Sequence, residues 1–402
     1  MTASPQSGPT PPSHALFRWY LAFGLFGVPQ AAGPIAFALI ALPLTGDAKS
    51  GASIVVVMTI AQVLGAMPIA RIGQRYNIAR FLRALVAVRM IALLMIAGLA
   101  AMKASFDLLL VAGAFAGVVN GAAYGYIRAI LNFIVTPANL PKALGIGATL
   151  NEVTFVAAPV LAAWMGSVSP PISVAVIALL GAGPLFLVSQ VEGRPTERTA
   201  PVEGALLKPA ILAWLLCSAS GGAIVATIEV GAVSLALDFG LRAELGIIFT
   251  VALCVASISG GVWVTVRNRM AGRSLVIGLA GTMTAGAVLV AWEQSVALTV
   301  VGCAAAGLAL APLGTHYSLI LDTLAPPSRR PEVFALLRTS NALGVIFASS
   351  LLACGYLSVA LIVAGTLLLV GAWQAMRLSG HGRGRETCPA SEPKSPPRKA
   401  PD

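Results

Sequence analysis

The sequence predicts an all-α membrane protein of twelve transmembrane helices arranged as two pseudo-symmetric six-helix bundles, and three observations predict it. Twelve stretches of about twenty apolar residues fill the chain from Leu16 to Met376. A helix rising about 1.5 Å per residue needs about 20 such residues to cross a hydrocarbon core of roughly 30 Å. Of the 402 residues, 57% are hydrophobic and only 10% charged, with a mean hydropathy of +0.88. A soluble domain with that surface would precipitate, so the apolar excess faces lipid. Lastly, the longest polar break, Glu192 to Pro209, divides the segments six and six.

The first six segments cover residues 16–44, 52–70, 80–101, 106–134, 142–166 and 171–190. The second six cover 207–237, 244–266, 273–292, 296–324, 331–353 and 357–377. Most exceed the minimum span and so have length to tilt. The opening thirteen residues are polar and rich in Pro and Ser, without the basic start and cleavage site of a signal peptide, so the first segment is read as a retained helix. The chain therefore divides into a polar N-terminus (1–15), a first bundle (16–191), a linker (192–208), a second bundle (209–378) and a tail (379–402) whose Gly, Pro, Ser, Lys and Arg content predicts disorder near anionic headgroups.

The net charge of +11 raises the question of nucleic acid, and its distribution answers it. With the N-terminus in the cytoplasm, Arg18, Arg71, Arg75, Arg80, Arg83, Lys142, Arg194, Arg198, Lys208, Arg267, Arg269, Arg273, Arg329, Arg330 and the tail cations from Arg377 to Lys399 fall inside. Only Lys49, Lys103 and Arg242 fall outside. That asymmetry is the positive-inside rule, so both termini are expected in the cytoplasm and the charge reports orientation rather than nucleic-acid binding. Cys217, Cys254, Cys303 and Cys354 lie singly in separate segments and Cys388 in the tail, without metal or redox spacing, so no metal or cofactor is expected. No Gly-x-x-x-x-Gly-Lys-Ser/Thr occurs, which argues against ATP-driven transport by this chain. With three histidines and no His-Glu-x-x-His or Gly-x-Ser-x-Gly, an intramembrane enzyme is also disfavoured.

A shift of 190 residues aligns Gly117 with Gly307, Ile130-Leu131 with Ile320-Leu321, Pro137 with Pro327, Pro141 with Pro331, Thr149 with Thr339 and Asn151 with Asn341. One unbroken shift through the fourth and fifth segments of each half points to duplication. Two six-helix halves in parallel orientation resemble the major facilitator superfamily. After the second segment that family carries Gly, then Asp-Arg, then Gly and basic residues. Here Arg71, Gly73 and Arg75 match, while Ala66 replaces the first Gly, Ala70 the Asp and Gln74 a basic residue. The resemblance implies a cytoplasmic gate, and the missing carboxylate implies that its lock is weaker or differently built. In the fourth segment Gly117 stands where exporters carry a buried Arg, and Arg128 follows further along. In the fifth, Ala158-Pro159-Val160-Leu161-Ala162-Ala163 follows the exporters' Gly-Pro pattern with Ala for Gly, and the preceding Asn151 to Phe155 resembles bacterial predicted drug or sugar efflux permeases.

A charge at bilayer depth costs about 2.5–3.5 kcal/mol even on the lenient scale, so Arg89, Arg128, Glu152, Glu229, His316 and Arg338 each ask for a partner or a watery cavity. Asp107 and Asp322, near segment ends, are expected to be solvated. Asn120, Tyr124 and Arg128 recur at i, i+4 and i+8 and form one polar stripe, and Glu152, Phe155 and Pro159 share a face. Arg128 and Glu152 lie about 9 and 15 Å from the cytoplasmic boundary, within bridging distance for a long Arg. They are read as a coupled proton site, with a static ion pair as the bland alternative. His316 and Arg338, about 12 and 9 Å deep, are expected to form a second polar cluster, with Asn341 on the cavity face. Glu229 is placed toward the outer mouth, or else as a second proton site, and Arg89 has no evident partner.

The sequence thus predicts a secondary transporter, and the resemblance implies a monomer in a bacterial inner membrane whose partners are a small-molecule substrate, protons and lipid. Proton-coupled export of an amphipathic molecule is favoured, with proton-coupled uptake as the alternative and a transport-inactive sensor as a third reading. The proton-coupling candidates are Glu152, Arg128, Glu229 and His316. The cavity candidates are Asn120, Tyr124, Asn151, Phe155, Arg338 and Asn341, and the gating and motif positions are Arg71, Gly73, Arg75, Ala158 and Pro159.

Overall fold

The computed structural model describes residues 13–46, 50–188 and 208–381, and contains no strand among them. Twelve helical spans are long and apolar enough to cross a membrane. The first half holds α1 (His14–Thr45), α2 (Ser50–Gly73), α3 (Ile78–Ala101), α4 (Phe106–Ile134), α5 (Pro137–Val168) and α6 (Pro170–Leu187). The second holds α7 (Pro209–Asp238), α8 (Ile247–Arg267), α9 (Arg273–Trp292), α10 (Val296–Leu324), α11 (Pro327–Ala353) and α12 (Leu357–Leu378). The expected spans 106–134, 273–292 and 296–324 recur without change, because sharp polar or Gly/Pro boundaries set them. Others run longer: α5 and α11 begin several residues early, each through a proline-led 3-10 turn, Pro137–Asn139 and Pro327–Arg329. The final helix continues to His381, three residues into the expected tail. Residues 1–12, the linker through residue 207 and the tail from 382 lie outside the described residues.

Local chemistry explains the ends. The Asn77 side chain accepts hydrogen bonds from the Ala79 and Arg80 amides at 3.0 and 3.2 Å and caps α3, and the Ser295 hydroxyl accepts from Leu298 N–H at 3.3 Å at the start of α10. Prolines inside α1 (Pro29, Pro34, Pro43), α5 (Pro159) and α10 (Pro312) each remove a backbone donor. α4 is interrupted at Val119, between Gly117 and Gly121, immediately before Asn120.

Two apolar clusters belong chiefly to the first half and one chiefly to the second. They interleave at one end, where Ala129 joins the second half's core and Leu319 and Ala335 join the first half's. The repeat has a packing cause at Gly117 and Gly307. A Cβ at either would collide with a neighbour's backbone, at Met58 of α2 for Gly117 and at Leu253 of α8 for Gly307. Small residues here let helix axes approach closely within lipid, where dispersion and close packing drive association.

Candidate functional site

The hydrogen bonds joining the halves cluster at the end of the molecule that carries the basic loops. Ala70 leaves α2 without the family's carboxylate, and the tertiary structure supplies one from the opposite half. Glu332, in the first turn of α11 and 0% exposed, receives Arg71 Nε at 3.3 Å, the Gln74 amide and Arg329 Nε at 3.3 Å. Its position at a helix N-terminus adds favourable dipole interaction. Gly73 fits against Tyr126 and Phe81, and Tyr126 Oη donates to the Ala70 carbonyl at 2.9 Å. Arg75 is exposed at the helix end.

One turn deeper, the helices of the two halves meet at equivalent positions. Arg128 Nε donates to Ser318 Oγ at 2.6 Å, and the Asn132 amide donates to the Asp322 carboxylate. Both pairs are 190 residues apart, the shift of the repeat, so each joins a position to its own symmetry mate. Asp322 also pairs with Arg330 at 3.3 Å and is 8% exposed, which corrects the expectation of a solvated residue. α4 and α11 exchange reciprocal cation–π contacts: Arg128 lies over Phe334 at 4.4 Å and Arg338 over Tyr124 at 5.2 Å. Asn268 links α8 to the α4–α5 turn, its carbonyl oxygen accepting from Lys142 N–H at 3.0 Å and its amide donating to Asn139 at 3.2 Å. A Cβ at Gly125 would strike the Pro331 carbonyl, so the halves touch there through glycine.

Above this closure a cavity of about 500 Å³ lies between the halves, walled by α1, α2, α4 and α5 on one side and α7, α10 and α11 on the other. Asn120, Tyr124, Arg128, Asn151, Glu152, Phe155, Glu229, Arg338 and Asn341 all line it. Trp19 and Phe23, stacked at 5.0 Å, continue to Tyr124 at 6.2 Å as an aromatic wall.

Several sequence expectations are corrected. Arg128 and Glu152 do not pair; Arg128 is held by Ser318, Asn132 and Phe334, while Glu152 lines the cavity within electrostatic reach of Glu229. Facing of α4 toward α10 and α11, set by the closed end, takes the guanidinium away from α5. Glu229 lines the cavity and is exposed there. His316 is absent from that wall, its ring set edge-on to Trp214 at 5.1 Å, and so it forms no cluster with Arg338. Arg89 has partners after all: it donates to Asn120 Oδ1 at 2.7 Å, Phe26 O at 3.0 Å and Gly181 O at 2.9 Å, and its guanidinium sits 4.1 Å over the Phe26 ring. Asn120 in turn donates to Gln62 Oε1 at 2.6 Å, so its amide is occupied by protein although it faces the cavity. Ala158 is buried in the first half's core and neither it nor Pro159 lines the cavity.

Glu332, Gln62, Ser318, Asn132 and Phe334 were not singled out by sequence. Glu332 reads there as an ordinary acidic residue at a helix start, and the others are common side chains in apolar segments.

A cavity between two six-helix halves, shut at one end by bonds between symmetry-related positions, defines a membrane transporter of the two-bundle class. The Major Facilitator Superfamily pattern matches residues 19–349, and the chain belongs to that family. No curated protein matches its sequence. Among solved structures it is similar to a bacterial homologue of the iron transporter ferroportin in an outward-facing state, with TM-score 0.77, 16% identity, and coverage of 91% of this chain and 99% of that one. It is also similar to the E. coli fucose:proton symporter, with TM-score 0.71, 12% identity and coverage of 90% and 98%. A human organic anion transporter gives TM-score 0.70, 12% identity and coverage of 90% and 99%. At these identities the likeness is one of fold.

Proposed function

We propose that the protein is a proton-coupled exporter that exchanges protons for an amphipathic small molecule by alternating access. One observation carries this reading: Glu152 of the first half and Glu229 of the second line the same cavity within electrostatic reach of each other, and neither forms an ion pair among the described residues. Two carboxylates facing one cavity from opposite halves, Glu152 half-buried and Glu229 exposed to it, are suited to take up and release protons as the cavity's access to water changes. Because they sit on opposite halves, rocking of the halves alters their separation and their access to water. Arg128 acts in this scheme through closure, since it bonds α10 in the closed arrangement. The direction rests on the Ala158-Pro159 stretch, which resembles the exporters' pattern. Tyr124, Asn151, Phe155, Arg338 and Asn341 are the proposed substrate contacts, with the aromatic wall taking the apolar body.

Purified protein in liposomes with an internal pH dye and an imposed gradient tests the scheme. A substrate-dependent proton flux opposite to substrate movement is expected, and Glu152→Gln is expected to abolish that flux while substrate still binds. Flux in the same direction as substrate would turn the reading to uptake by symport, and full coupling in Glu152→Gln would remove that residue from the mechanism.

A further inference from the structure

The cavity has two poles of opposite charge that do not neutralise each other. Arg338 makes no hydrogen bond or ion pair among the described residues; its guanidinium rests on the Tyr124 ring at 5.2 Å and its side chain lines the cavity. Its nearby charges reinforce the imbalance. Arg89 lies within electrostatic reach of it and is satisfied only by two carbonyls and an amide oxygen, all uncharged. Arg128, 2% exposed and also in the cavity wall, keeps its Nη2 without any hydrogen-bond partner. Asp322, a carboxylate within electrostatic reach of Arg128, is already taken by Arg330 and Asn132. A buried guanidinium without a counter-anion is costly, and an anionic group from a ligand removes that cost. The other pole is Glu152 with Glu229, likewise without a cation. Phe155 and the Trp19–Phe23 stack line the same cavity.

We infer that the transported molecule is a dipolar amphiphile, its carboxylate or phosphate seated on Arg338 and its ammonium on the Glu152–Glu229 pair, with an apolar body against the aromatic wall. This rests on the antiport reading and deepens it. A ligand ammonium and a proton compete for the same two carboxylates, so arrival of one expels the other, which is the condition for exchange. A purely anionic ligand would meet repulsion at the acidic pole, and a purely cationic one would leave Arg338 unpaired.

Three probes on one scaffold separate the contributions: 4′-(aminomethyl)biphenyl-4-carboxylate, its carboxamide and its N-acetyl derivative, titrated calorimetrically into the protein in nanodiscs without a pH gradient. The zwitterion is expected to bind at least tenfold more tightly than either singly charged probe. Arg338→Gln is expected to erase its advantage over the carboxamide, Arg338→Lys to retain part of it, and Glu152→Gln to weaken its advantage over the N-acetyl probe. Equal affinities, absence of binding by all three, or an unchanged preference in Arg338→Gln with retained carboxamide binding would overturn the inference. Because binding is read without proton movement, such a failure leaves the flux assay to judge coupling separately.

Discussion

Arg89 shows how a charge inside the hydrocarbon is accommodated without a counter-charge. Its 2% exposure, three hydrogen bonds and the Phe26 ring spread the guanidinium over neutral acceptors from α1, α4 and the end of α6. Sequence periodicity gave it no partner because two of the three acceptors are backbone carbonyls, which no side-chain pattern records. Replacement by Gln leaves buried acceptors without donors, a cost on the order of 1–3 kcal/mol for each. Arg89→Gln is therefore expected to lower the midpoint of thermal unfolding and the yield of folded protein. Glu152 is a contrasting case. Sequence placed it on a face with Phe155 and Pro159 and proposed Arg128 as its partner, but depth alone does not say which way a long side chain turns, and Arg128 turned toward Ser318.

At the scale of single elements, the first turn of α11 does the work that the missing carboxylate of α2 would do. Glu332 gathers Arg71, Gln74 and Arg329, so one buried acid ties α2 to α11 across the two halves. Arg71 is half exposed, which limits its own contribution, but loss of the charge on a fully buried Glu332 weakens three donors together. Glu332→Gln is expected to loosen this end. Spin labels at positions 75 and 323, both exposed near the closure, should then report a larger population at long distance. An unchanged distance distribution would show that apolar packing and the Arg128–Ser318 contact suffice for closure. The helix spans were legible in sequence because length and hydropathy decide them; the first-turn prolines of α5 and α11 were read as loop because a 3-10 lead-in shares that composition.

On the scale of the whole molecule, the two halves close on contacts between residues 190 apart, so the sequence repeat and the closing surface are one feature seen twice. On the positive-inside reading, we propose that the closed end and both termini face the cytoplasm. In intact cells, a cysteine replacing Lys103 is therefore expected to react with a membrane-impermeant maleimide, and one replacing Arg75 only after the membrane is opened. The opposite pattern would invert the direction of every transport step proposed above. The sequence by itself determined the twelve spans, their division, the repeat and the membrane-buried charges, because hydrocarbon thickness and the cost of burying charge act on local composition. Only the tertiary structure decided which charges meet. Glu152 and Glu229 came to line one cavity, Arg338 was left open to it, His316 was turned against Trp214, and Glu332 replaced the absent acid of α2. Each of these contacts depends on the rotation and facing of helices more than sixty residues apart in sequence, and helical periodicity fixes a stripe on one helix without fixing which neighbour that stripe faces.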